Sequence, residues 1–184
     1  MHAVNIRNGV ILTLTYFLKL QVHELRALQV DDVRRDAAGY LVHIGSVERY
    51  LGPSRDPIVD PVRWLDVWRH VLSVQAPWYP HGALLPKFDE TRVWLPRPLS
   101  PVSFFGIYVD AARAAGLDVR SPGVALQKGF VIASVERYGA LLTARFVRYR
   151  RMDSLAAHVP EIRQQATLIR ELNRGRPQYG KITT

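Results

Sequence analysis

The run "NIRNGVILTLTYFLKL", residues 5–20, constrains this chain more than any other stretch. Val10, Ile11, Leu12, Leu14, Tyr16, Phe17 and Leu18 make it apolar nearly all round. A helix of that kind has no face for water and must be surrounded by other elements. The run therefore predicts a buried core helix. After a break near Lys19, Val22, Leu25 and Leu28 recur at helical spacing and begin a second, short helix. The chain has 184 residues, enough for a domain with a sizeable core. No window approaches the ~20 apolar residues of a membrane span, and "MHAVNIRNGV" lacks the pattern of a secretory signal. The absence of cysteine excludes disulfides and cysteine-ligated zinc or iron–sulfur centres. The expectation is a cytoplasmic protein without membrane segment, metal or cofactor, nucleoid-associated if it binds DNA.

What surrounds the first helix is legible from punctuation. Gly39, Gly45 and Gly52-Pro53-Ser54 separate two β-prone pieces, "YLVHI" and "PIVD", which predict a small antiparallel sheet or hairpin. Asp60-Pro61 opens a helix, with Asp as N-cap and Pro at the first position. Trp64 and Trp68 lie one turn apart in it and are expected in the core rather than as base-stacking platforms. Residues 76–101 contain six prolines, which predicts a long surface connection with a short strand near "RVWL". Ser100-Pro101 or Ser103 starts a further helix that ends at Gly116, and another follows Pro122 and stops at Gly139. Short helices are expected in "LLTARFVRYRRM" and "DSLAAHV". Ile162, Ala166, Ile169 and Leu172 form one apolar stripe on a tail helix over 161–173, which could join copies into a homo-oligomer. The fold class is mainly α with a small antiparallel β-sheet, with a domain over 1–160 and a C-terminal helix and tail over 161–184.

The formal charge of +9 is concentrated toward the C-terminal end. Residues 1–119 carry a net +1, whereas 120–151 carry +6 from Arg120, Lys128, Arg137, Arg145, Arg148, Arg150 and Arg151 against Glu136. Arginine outnumbers lysine 21 to 4, and the planar guanidinium suits bidentate contact with phosphate. Localised charge of this kind implies a polyanionic partner, with double-stranded DNA the candidate and these seven residues its contacts. Arg145, Arg148 and Arg151, three apart, would share one helix face, either as a phosphate-tracking stripe or as a solvated face. There is no Walker loop, dinucleotide glycine fingerprint or HExxH motif, and Glu136 and Asp153 make no carboxylate pair.

The order of these elements resembles the C-terminal catalytic domain of tyrosine recombinases, the phage-integrase family, over most of residues 8–165. The family's first box, GLRxSEL-x-x-L-x-x-x-D, is similar to "LQVHEL" at 20–25, followed by Ala27-Leu28 and Asp31-Asp32-Val33. "RPLSPVSFFGIYVDAARAAGLDVRSP" resembles the approach to the second box. In that family a tyrosine attacks a DNA phosphate to form a covalent phosphotyrosine, while two arginines with His and Lys neutralise the phosphorane. Matched motif by motif, the first arginine falls on Gln21. The second box, HxLRHTF, falls on residues 124–130, with Val124 at its leading histidine and Gln127 at its arginine. LGH falls on Tyr149-Arg150-Arg151 and the nucleophile near Pro160. The hairpin lysine has no clear counterpart, with Arg49 or Arg55 in its neighbourhood.

The resemblance thus implies a catalytic set lost at Gln21, Val124, Gln127, Arg151 and Pro160. Oxyanion donors are worth roughly 3–4 kcal/mol each, so two losses cost about five orders of magnitude in rate. The leading reading is an inactive, DNA-binding relative of tyrosine recombinases, an accessory or regulatory factor of a mobile element. One alternative is a divergent active recombinase with Tyr138, Tyr149 or Tyr179 as displaced nucleophile. Another is a protein-interaction module that no longer binds DNA. The sequence begins almost at the first catalytic-domain helix, which places the family's separate N-terminal core-binding domain outside it.

Overall fold

A computed structural model describes residues 2–77, 81–91, 93–140 and 142–143. The chain divides into two compact units, residues 1–127 and 128–184. The expected boundary at residue 160 lies outside the described residues. The first unit holds the core. Among the described residues no helix is long and apolar enough to cross a membrane.

The buried helix is α1, Ala3–Phe17, with Val10, Ile11 and Leu14 fully enclosed. Its long partner is α3, Pro61–Gln75. The two approach closely at Gly9, where an added Cβ would run into the Trp64 ring. Asp60 caps α3 as expected, its Oδ1 accepting from the Val62 amide at 3.0 Å. Trp68 is fully buried and donates its indole N–H to the Leu84 carbonyl at 2.9 Å, as a core tryptophan must when its polar atom leaves water. Between the helices in sequence lie the short α2, Val22–Ala27, a 3-10 turn at Val30–Asp32, and a three-stranded antiparallel meander.

The meander consists of β1 (Val33–Arg35), β2 (Tyr40–Ile44) and β3 (Val47–Leu51), with Val33 opposite Val42, Tyr40 opposite Leu51 and Ile44 opposite Val47. Tyr40, Val42 and Ile44 alternate inward. Gly45, at φ 62, supplies the left-handed residue that a two-residue hairpin turn requires. "YLVHI" is thus a strand, but "PIVD" is not. Its residues form a bend held by side chains, with the Ile58 amide donating to Asp56 Oδ1 at 2.9 Å and the Ser54 amide to Asp60 Oδ1 at 3.2 Å. Ile58 is 76% exposed, so its apolar character reports no buried strand. β2 pairs instead with "VERYL" on a sheet edge, where Glu48 is exposed and Arg49 half-buried.

The proline-rich stretch keeps the strand expected near "RVWL" but is not otherwise a surface connection. It carries two strands, β4 (Pro86–Phe88) and β5 (Trp94–Pro98), paired antiparallel with an irregularity at Pro86/Lys87. Leu84, Leu85, Phe88, Trp94 and Leu99 are buried. Trp94 stacks on Trp68 with ring centroids 5.5 Å apart. Proline at strand ends and at a bulge removes few ladder hydrogen bonds, and the aromatic side chains draw the segment onto the core. Helix α4 runs Pro101–Ala114 from the Ser100 cap. It ends with Gly116 at φ 68, where the Leu117 amide donates to Ala112 O and the Gly116 amide to Arg113 O, the paired closure of a Schellman motif. Helix α5, Pro122–Tyr138, stops before Gly139 at φ 78.

Candidate functional site

Three chain segments meet at one cleft of about 520 Å³ in the first unit. The entry to α2 contributes Leu20, Gln21 and Val22; α4 contributes Pro101, Phe105 and Tyr108; the start of α5 contributes Ser121 through Val124 and Gln127. The geometry at the entry to α2 begins at Lys19, whose φ of 52 turns the chain out of α1. Leu20, fully buried, anchors the turn. Gln21 is then the exposed N-cap of α2, and its backbone N–H donates to the Glu24 carboxylate at 2.9 Å. Glu24, the acid of the first box, thus satisfies a helix end.

The second box arrives from across the fold. Gln127 donates from Nε2 to the Leu20 carbonyl at 3.0 Å, a bond between residues 107 positions apart. Gln21, Val124 and Gln127 therefore line one cavity although two of them come from a different helix than the first. Gly123 makes the approach of α5 possible: a Cβ there would lie 3.0 Å from Tyr108 Cδ2. The Tyr108 hydroxyl is held 2.8 Å from Thr15 Oγ1, and Thr15 donates to the Ile11 carbonyl of α1 at 2.7 Å. Burial pushes the Tyr108 phenol above its ordinary value, so it stays neutral and serves as a wall. Among the described lining residues there is no Lys, Arg, His, Asp or Glu. The shape of a convergent site is present, and its described lining is neutral.

A second cavity, of about 320 Å³, lies beside the first box between α2 and the β2–β3 hairpin, lined by His23, Glu24, Asp32 and His43 with four apolar or small residues. Two of its polar side chains have close partners. Asp32 accepts from the Gln29 amide at 2.8 Å, and His43 Nε2 lies 2.9 Å from Glu48 Oε2. Among the described residues no group of three His, Cys, Asp or Glu is placed to hold a metal ion.

Of the expected DNA contacts, Arg120, Lys128 and Arg137 are exposed. Lys128 and Arg137, nine positions apart on α5, fall half a turn out of phase and so on opposite faces of that helix. Arg137 sits with its guanidinium 5.3 Å from the Tyr138 ring centroid. Arg49 lies on β3 opposite Val42, and Arg55 is exposed in the bend after it. Arg145, Arg148, Arg150, Arg151, Tyr149, Pro160, Tyr179 and the tail helix 161–173 lie outside the described residues. Phe105, Tyr108, Ser121 and Gly123 were not singled out from sequence. For Phe105 a signal existed: Phe104, Ile107 and Tyr108 form the buried stripe of α4, and an aromatic residue beside that stripe faces outward.

A mainly helical domain with a three-stranded meander and the first and second boxes converging on one cleft has the fold of a tyrosine-recombinase catalytic domain. Solved structures agree. The chain is similar to a post-cleavage complex of the XerH site-specific recombinase bound to palindromic difH substrate, with TM-score 0.62 and 14% identity, over 95% of this chain and 48% of that one. It is similar to a pre-cleavage XerH complex bound to difH substrate, with TM-score 0.59 and 13% identity, over 86% and 44%. It is also similar to the XerA recombinase, with TM-score 0.63 and 16% identity, over 96% and 60%. At such identities the kinship is one of fold, and the chain spans about half to three-fifths of the length of these recombinases. No family model matches the sequence, and no curated protein matches it.

Proposed function

We propose that this protein binds double-stranded DNA through a recombinase-type domain without cutting it, as an accessory or regulatory factor of a mobile element. The observation that carries the reading is the cleft itself, where Gln127 spends an amide hydrogen on Leu20 and no described lining residue bears a positive charge. A phosphorane needs charged donors aimed at its oxygens, and two amides in place of two guanidinium groups leave a site able to touch DNA but ill suited to stabilise that charge. The net +9 of the chain supports a polyanionic partner, as do solved neighbours described as recombinases bound to difH substrate. The test is fluorescence anisotropy on unrelated duplexes over a range of salt. Binding that weakens linearly in log–log form with salt, at similar strength on each sequence, is expected. No binding to any duplex at low ionic strength would sink the proposal and favour a protein-interaction module.

A divergent active recombinase is the second reading. Tyr138 favours it, being 50% exposed on the last turn of α5 with the Arg137 cation against its ring. It predicts a covalent protein–DNA adduct that disappears in Tyr138→Phe.

A further inference from the structure

The neutrality of the cleft's described lining has a chemical consequence of its own. We infer that it accepts an uncharged planar ring, a nucleobase displaced from the DNA stack, where a phosphate would otherwise sit. This rests on the DNA-binding reading and names what the cleft itself takes.

The first support is charge. A chain of net +9 attracts phosphates to its surface, yet the described lining of this cavity includes no ionised side chain. A phosphate entering it would leave water for a surface without counter-charge, which is costly. An uncharged ring carried on a phosphate backbone suffers no such cost, because the backbone can remain outside. Arg120, exposed and adjacent to the lining residue Ser121, stands where that backbone would pass.

The second support is shape and surface. Phe105 is 59% exposed, although Phe104, Ile107 and Tyr108 of the same helix are buried. Tyr108, one turn on, backs the cavity with a ring immobilised by Thr15 and Gly123. An exposed aromatic ring beside a preformed apolar wall is a platform on which bases stack, with little dependence on sequence. The volume of about 520 Å³ falls within the range of small-molecule sites.

The third support is the polar complement. Gln21, Ser121 and Gln127 contribute neutral donors and acceptors. Amides of this kind pair with the edges of bases and, unlike guanidinium or ammonium groups, bring no charge to a phosphate. Gln127 uses Nε2 toward Leu20, which restrains its side chain and leaves its amide oxygen as an acceptor not spent on that bond. The Arg-to-Gln differences that remove a phosphate site thus leave the groups of a base site.

The experiment uses the full chain and three duplexes of one sequence: fully paired, with a single extrahelical 2-aminopurine, and with an extrahelical abasic residue at the same place. The 2-aminopurine duplex is expected to bind about tenfold tighter than the other two, with its fluorescence quenched by stacking. Phe105→Ala brings the ratio between the 2-aminopurine and paired duplexes to near one, and Phe105→Tyr preserves it. Unchanged melting of both variants verifies that they fold. Equal binding of all three duplexes overturns the inference and leaves the DNA-binding reading standing. Equal gains for the 2-aminopurine and abasic duplexes also overturn it, assigning the gain to duplex flexibility. Absence of binding to any duplex overturns both.

Discussion

Arg7 in the core and the cleft at Gln21 treat charge in opposite ways. Arg7 is 5% exposed, deep against β4, where no recombinase chemistry calls for a cation. Its guanidinium donates to the Pro86 carbonyl at 3.0 Å and to Asn8 Oδ1 at 3.0 and 3.3 Å, and lies 5.0 Å over the Phe88 ring. No carboxylate among the described residues forms an ion pair with it. Burial alone lowers its pKa to about 10. In the cleft the arrangement is reversed: Gln21 and Gln127 converge on one cavity, and no described lining residue is charged. The contrast teaches that the fold keeps a charged group where its hydrogen bonds join two elements.

The comparison is sharpened most by removing packing from the core. Trp68→Ala deletes a fully buried indole that stacks on Trp94 and bonds to Leu84, and should cost about 3–5 kcal/mol in urea unfolding. Val124→Ala, at a residue 51% exposed in the cleft, should change stability by less than about 0.5 kcal/mol. Next in size, Arg7→Ala should cost about 2–4 kcal/mol, because it leaves a cavity and an unpaired Pro86 carbonyl. Arg7→Met fills the space without burying a charge and should cost about 1 kcal/mol. Equal losses for the two substitutions would mean that the hydrogen bonds, and not the volume, hold β4 to α1.

The cleft is probed by returning charge to it. Gln21→Arg should tighten duplex binding and steepen the log–log salt dependence by about 0.9, the value of one added phosphate contact. Arg120→Ala should shallow the dependence by a similar amount. A Gln21→Arg protein with an unchanged slope would place this residue away from the DNA backbone.

The smallest effect concerns the turn between α1 and α2. Lys19 holds φ 52, and burial lowers its ammonium to about 8. Between pH 8 and its ordinary value of 10.5 the unfolded chain binds the proton that the folded chain has released. Stability should therefore rise with pH across that window. The half-exposed side chain is screened by solvent, so the rise should be about 1 kcal/mol or less. Lys19→Gly should abolish it without lowering stability at pH 7, since glycine adopts this conformation freely. Thermal melts across the window measure both effects.

Much of this architecture was legible in the sequence because its signals are local. The all-round apolar run gave α1, Asp60-Pro61 and Ser100-Pro101 gave two helix starts, and Gly116 and Gly139 gave two ends. The misreadings came from tertiary context. "PIVD" has the composition of a strand, but Asp56 and Asp60 bind backbone amides and hold a bend. The prolines of 76–101 suggested a surface connection with a strand near "RVWL", whereas Trp94 folds back onto Trp68 with Phe88 packed against it. In the cleft, the two glutamines were identifiable by motif order. Their link through the Leu20 carbonyl was not, because it joins residues far apart and depends on Gly123 allowing α5 close to Tyr108. The neutrality of the lining emerged only once Phe105, Tyr108 and Ser121 were seen beside them.

The central claim, a recombinase fold that binds DNA without reacting, is tested most directly with a nicked suicide duplex, on which any cleavage event traps the protein covalently. The protein should shift this duplex on a native gel and release it completely under denaturing conditions. A denaturant-resistant adduct, lost in Tyr138→Phe, Tyr149→Phe or Tyr179→Phe, would contradict the account and identify the displaced nucleophile.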